Sequence, residues 1–151
     1  MRRVDALLAD YGSYHRTRGN LACHSIGIPL IIFGILGFLL FLPLPLGASG
    51  ATAAEAAIAA AVAYYAFLDP LLALGILVPL ALLDLAARAV GGWRVAAAAF
   101  VIGWIFQGIG HARYEKKSPA FLKNVVHLLV GPLFLVNELL RIRRLAPAAG
   151  K

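Results

Sequence analysis

Between Arg18 and Arg88 the chain carries no lysine or arginine, and between Arg18 and Glu55 it carries no charge of either sign. A domain that folds in water has to keep its surface hydrated, and charged side chains supply most of that hydration. A stretch this long without a cation leaves one solution, which is to place the surface against lipid. Composition agrees: 62% of residues are hydrophobic and 14% charged, against roughly 45–50% and about 25% in an ordinary soluble domain. The 151 residues are enough for one domain, so we expect a single integral membrane domain over residues 1–151.

The apolar runs set the expected elements. Val4, Leu7, Leu8 and Tyr11 recur at i, i+3, i+4 and i+7, which predicts an amphipathic helix lying along the membrane interface. Ser25 is a candidate cap for a helix running to about Leu42, stopped by Pro43, Pro45 and Gly47. Ala51 to Leu68 is a second run, about 27 Å long at helical rise. After the Asp69-Pro70 break a third run reaches about Ala89, with Pro79 as a kink and Asp84 and Arg88 paired at i, i+4. Val95 to Gly110 is the fourth, and Ala120 to Leu140 a fifth. That last run holds Lys123, Asn124, His127, Asn137 and Glu138, so it is read as re-entrant, interfacial or packed inside the bundle. The expected fold is therefore all-α: a polytopic transmembrane helical bundle of four to five apolar segments with an N-terminal interfacial amphipathic helix.

Charge orients the bundle. The formal net charge is +7, and basic residues cluster at Arg2 to Arg18, Arg88 to Arg94, Arg113 to Lys123 and Arg141 to Lys151. Clusters that flank apolar runs indicate cytoplasmic boundaries and anionic membrane lipids, not nucleic acid. No small-residue cleavage site follows a short hydrophobic region near the N-terminus, so no cleavable signal peptide is expected. The single cysteine, Cys23, excludes an internal disulfide. If the first run leaves the cytoplasm and the next three alternate, the start of the first and the end of the fourth share a face. His15, His24, His111 and Glu115 then meet at that face, both termini are cytoplasmic, and His127 enters the fifth segment from the same side.

Imidazole is the commonest metal ligand, and several histidines with open positions suit Fe(II) and oxygen chemistry. Spacing alone leaves other readings open. One is a haem protein, although axial histidines normally come from facing helix interiors. Another is a small membrane transporter or structural membrane protein, with Asp69, Asp84, Gln107 and Glu138 as a polar path. These four do not recur in repeated halves, and Asp84 has a local partner in Arg88.

Two polar blocks narrow the choice. Tyr14 to Pro29, YHRTRGNLACHSIGIP, resembles the YHxxxxNxxxHxxxxP signature of the 2-hydroxy-palmitic acid dioxygenase family. The stretch from Gly103, GWIFQGIGHARYEKKSPAFLKN, is similar to that family's second block, GWxxQxxGHxxxEKxxPA. Together they cover about 40 of the 151 residues, in the right order among apolar spans. The resemblance implies a membrane enzyme that uses Fe(II) and O2 to shorten a 2-hydroxy fatty acid by one carbon. On the matching positions it implies His15, His24 and His111 as iron ligands, with Glu115 as a further ligand or as a partner that orients an imidazole. His127 lies outside the signature and is a candidate extra ligand. Asn20 and Gln107 are candidates for hydrogen bonds to ligands or substrate. Lys116 and Lys117 either hold the substrate carboxylate or serve membrane topology.

Overall fold

The computed structural model describes residues 2–45, 50–116 and 126–142. Among the described residues six α-helices follow in order: α1 (Arg3–Ser13), α2 (Arg18–Leu39), α3 (Ala53–Leu68), α4 (Pro70–Val90), α5 (Trp93–Ile109) and α6 (His127–Leu140). A π-helical turn, Gly110–Glu115, extends α5. Among the described residues the architecture is all-α, with only an isolated antiparallel bridge between Pro43 and Thr52. Lys117, Pro119, Lys123 and Asn124 lie outside the described residues.

Three helical stretches are long and apolar enough to cross a membrane: Arg18–Leu39, Pro70–Val90 and the continuous Trp93–Glu115. Their outer faces carry Leu71, Leu74, Leu82, Leu85, Val101 and Ile105, all more than half exposed, an apolar surface far larger than a soluble monomer keeps in water. The other two expected apolar segments, α3 and α6, are present as shorter apolar helices. The second run loses Ala51 and Thr52 to the bridge and to a capping box, in which Thr52 and Glu55 hold each other at the start of α3. The 16 residues left rise about 24 Å. The 14 residues of α6 rise only about 21 Å.

Two further expectations change. α2 begins at Arg18 and not at Ser25, because Thr17 caps it by accepting from the Asn20 amide; Ser25 sits inside, its hydroxyl donating to the Leu21 carbonyl at 2.9 Å. The stripe of α1 is also not given to lipid. Val4, Leu8 and Tyr11 are buried in one cluster with Leu72 and Ile76 of α4 and Val130, Leu133 and Phe134 of α6. The other breaks fall where expected: Asp69 caps α4 through Leu71 and Leu72, and Arg88 donates to Asp84 at 2.8 Å while also pairing with Glu55.

The packing of α2 against α5 is the widest helix contact in the bundle, and glycine makes it possible. A Cβ on Gly27 would lie 2.8 Å from the Gly103 carbonyl oxygen, and one on Gly103 would lie 2.7 Å from the Gly27 oxygen. The two backbones touch, as small residues allow in lipid. Gly27 is three residues from His24 and Gly103 eight from His111, so this crossing fixes how the two histidines face each other.

Candidate metal centre

Three histidines from three places in the chain converge at one end of the α2–α5 pair. His15 follows α1, His24 lies two turns into α2, and His111 opens the π turn. One ring nitrogen of each lies within 4.8 Å of those of the other two, and all three residues are buried. Ring centroids are 4.4 Å apart for His15 and His24, 5.0 Å for His15 and His111, and 4.9 Å for His24 and His111.

Hydrogen bonds fix the ring orientations. His15 Nδ1 lies 2.7 Å from the Tyr11 carbonyl and His24 Nδ1 lies 3.0 Å from the Asn20 carbonyl. A carbonyl oxygen only accepts, so both Nδ1 atoms carry the proton. In the neutral rings each Nε2 is then a bare lone pair, and these two Nε2 atoms face each other at 3.0 Å. Burial pulls the His15 imidazole from 6.5 down to about 4, so it stays neutral in the physiological range. Two opposed lone pairs repel in the absence of a cation, and a metal supplies one. Backbone carbonyls on the remote nitrogens are the usual orienting partners of metal-bound histidines. The residues present therefore fit a metal ion.

The π turn carries both His111 and Glu115. His111 turns to the other histidines, while Glu115 Oε1 accepts from the Arg16 amide at 2.6 Å, the Thr17 amide at 2.7 Å and the Thr17 hydroxyl at 3.1 Å. Glu115 thus holds the turn between His15 and α2. It stands outside the group of gathered ring nitrogens.

The remaining expected residues divide. Asn20 is fully buried and its amide donates to the Tyr14 carbonyl at 3.3 Å; a Cβ on Gly110 would run into Asn20 Oδ1, so Asn20 packs beneath the π turn. Gln107 lines the cavity below the histidines, and its Nε2 is buried without a partner. His127 also lines that cavity but stands outside the three-histidine group: Nε2 lies 2.8 Å from Asp10 Oδ2, and Nδ1 is buried without a partner. Lys116 is exposed just past the π turn and does not line the cavity. Two residues of the suggested polar path have local partners instead: Asp84 is paired with Arg88, and Asp69 caps α4 facing Arg2 at 3.6 Å.

The cavity holds about 390 Å³, within the roughly 300–1,000 Å³ range of small-molecule sites. Its lining includes His15, His24, His111 and His127, and the rest is mostly apolar, with Ile28, Ile32, Leu36, Ile58 and Leu80 among it. From His24 to Leu36 it follows α2 for about 18 Å at helical rise. A family model, 2-hydroxy-palmitic acid dioxygenase Mpo1-like, matches residues 1–143. The chain belongs to the Mpo1-like family. Within that family it is 33% identical over 138 residues to 2-hydroxy-palmitic acid dioxygenase MPO1 of Saccharomyces cerevisiae (strain ATCC 204508 / S288c), covering 88% of this chain and 77% of that protein. No solved structure matches.

In this Mpo1-like protein, Tyr11, Asp10 and Tyr65 were not singled out from sequence. Tyr11 stacks on His15 with centroids 4.0 Å apart and planes at 8°, and Tyr65 lines the cavity while its hydroxyl donates to the Leu129 carbonyl at 2.8 Å. The i, i+4 spacing of Tyr11 and His15 is the one signal that points to the first; the others depend on contacts between distant segments.

Proposed function

We propose that this protein is an Fe(II)-dependent dioxygenase that converts a 2-hydroxy fatty acid and O2 into the fatty acid one carbon shorter, at the cytoplasmic face of the membrane. The observation that carries the reading is the facing pair of His15 and His24 lone pairs, completed by His111, at the head of a long aliphatic cavity. The reaction balances as a four-electron oxidation: C2 rises from alcohol to carboxyl, C1 leaves as carbon dioxide, and O2 is reduced. Zinc is redox-inert, so the donor set serves this chemistry with iron. Bound iron supplies electrons to O2 and open positions for substrate oxygens. His15, His24 and His111 hold it, the aliphatic wall takes the acyl chain, and the basic pair that follows the π turn in sequence, Lys116 and Lys117, draws the anionic head group from the interface.

The test is direct. Protein purified in detergent without chelator should contain iron by mass spectrometry and consume O2 with 2-hydroxypalmitate but not with palmitate. His24→Ala should lose both iron and uptake. Wild-type protein with neither iron nor uptake refutes the reading. For orientation, Arg3→Cys and Lys117→Cys in a Cys23→Ser background should be labelled from the same, cytoplasmic side.

A further inference from the structure

The cavity lining contains a further histidine that the metal reading does not use. Asp10 lies on the exposed side of α1, and its side chain is 55% exposed; His127 opens α6, and its side chain is only 3% exposed. They meet at 2.8 Å through Asp10 Oδ2 and His127 Nε2. A carboxylate oxygen only accepts, so Nε2 carries a proton, and in the neutral form of the ring Nδ1 is a bare acceptor. Nδ1 is buried, has no partner, and belongs to a ring that lines the cavity. A buried acceptor without a partner is disfavoured by about 1–3 kcal/mol. One way to satisfy it is a ligand that brings a hydroxyl proton.

We propose that Asp10 and His127 form the hydroxyl-reading element of the site: Asp10 fixes the tautomer, and His127 Nδ1 accepts a hydrogen bond from the 2-hydroxyl of the acyl ligand. This inference rests on the 2-hydroxy fatty acid reading above and names the group that distinguishes that substrate from an unsubstituted fatty acid. The rest of the wall is consistent with it. Among the described lining residues no lysine or arginine is present. Tyr65 already donates to a carbonyl, and the proton-free nitrogens of His15 and His24 face each other. Two other buried atoms without a partner belong to lining residues: His111 Nδ1, on a ring of the three-histidine group, and Gln107 Nε2, a donor that suits a carboxylate oxygen instead.

The test separates binding from turnover. Metal-loaded full-length protein in detergent is titrated without O2, and displacement of a fluorescent fatty acid is measured for 2-hydroxypalmitate and for palmitate, with bound metal assayed in parallel. Wild type should prefer the hydroxylated acid. His127→Leu should keep its metal and lose that preference by about tenfold or more. His127→Asn, whose amide oxygen falls near the Nδ1 position, should recover part of it, and Asp10→Asn should fall between. The two polar variants carry the test alone if the leucine variant fails to fold. Equal weakening of both lipids in the variants makes the pair a structural link between α1 and α6 and overturns the proposal, as does loss of metal, which makes His127 a ligand. An unchanged preference in His127→Leu or His127→Asn also overturns it. Wild type that binds both lipids equally removes the hydroxy acid reading together with this one, so the two failures are distinct.

Discussion

Replacing Glu115 gives the sharpest separation between a carboxylate that binds metal and one that builds the site. Its Oε1 accepts from two amides at 2.6 and 2.7 Å and a hydroxyl at 3.1 Å, and all three donors belong to the two residues that follow His15. Hydrogen bonds to a charged acceptor contribute about 1.5–3 kcal/mol each when dry. Glu115 is only half-buried, so solvent replaces part of this on removal. Glu115→Ala should therefore cost about 2–4 kcal/mol in stability. It should also weaken iron retention, because the turn carrying His15 is freed. Glu115→Gln keeps an oxygen acceptor and loses only its charge, so it should cost about 1 kcal/mol and retain most of the iron. The assay is denaturant unfolding of the two variants beside iron content at equal protein concentration. If the Glu115→Gln protein is as stable as wild type yet as iron-poor as the Glu115→Ala protein, the carboxylate ligates the metal and the structural account is wrong.

Three further outcomes follow from other parts of the bundle. Gly103→Ala sets a Cβ 2.7 Å from the Gly27 oxygen and 2.9 Å from the Ile31 amide nitrogen; backbone cannot yield there, so the variant should lose about 1–3 kcal/mol and hold iron less well, and wild-type unfolding would refute the close-packing argument. Because the folded His15 pKa lies at about 4 and the free value at 6.5, the neutral ring favours the folded state above pH 6.5, and that contribution is lost as pH falls from 6.5 through about 4. Stability of the metal-free protein against pH should accordingly stay level near neutrality and fall toward about pH 4; a loss centred at 6.5 would mean the ring is not buried in solution. Ala61→Phe narrows the cavity between α3 and α2, so turnover should shift toward shorter 2-hydroxy acids with iron content unchanged, and an unaltered chain-length profile would exclude this cavity as the acyl site.

The features legible in the sequence were those that depend on one stretch at a time. The absence of lysine and arginine between Arg18 and Arg88 pointed to lipid, Asp69-Pro70 and Asp84 with Arg88 were readable as cap and pair, and His15, His24 and His111 were readable from their two polar blocks. The features that were not legible depend on geometry between stretches. Nothing in GHARYE announces a π turn, and nothing in it tells that Glu115 accepts from the amides of Arg16 and Thr17. The amphipathic stripe of α1 has the pattern of an interfacial helix, and only the presence of α6 beside it turns Val4 and Leu8 inward. Asp10 looked like the wet side of that helix until His127, 117 residues later, came to meet it.

The convergence of His15, His24 and His111 also constrains how the protein is assembled. His24 and His111 are 87 positions apart, the difference of their residue numbers, with α3 and α4 between them. During synthesis the first two histidines enter the membrane surface long before the third exists. A metal captured at that stage would be held by two neutral nitrogens, easily lost or exchanged for whichever divalent ion is most abundant. Under the proposed function, a three-histidine site would exist only after α5 has docked on α2 through Gly27 and Gly103. An ion held there would tie α2 to the end of α5 and close the bundle over the 87 positions that separate His24 from His111. Folding of the bundle and uptake of the metal would then be the same event.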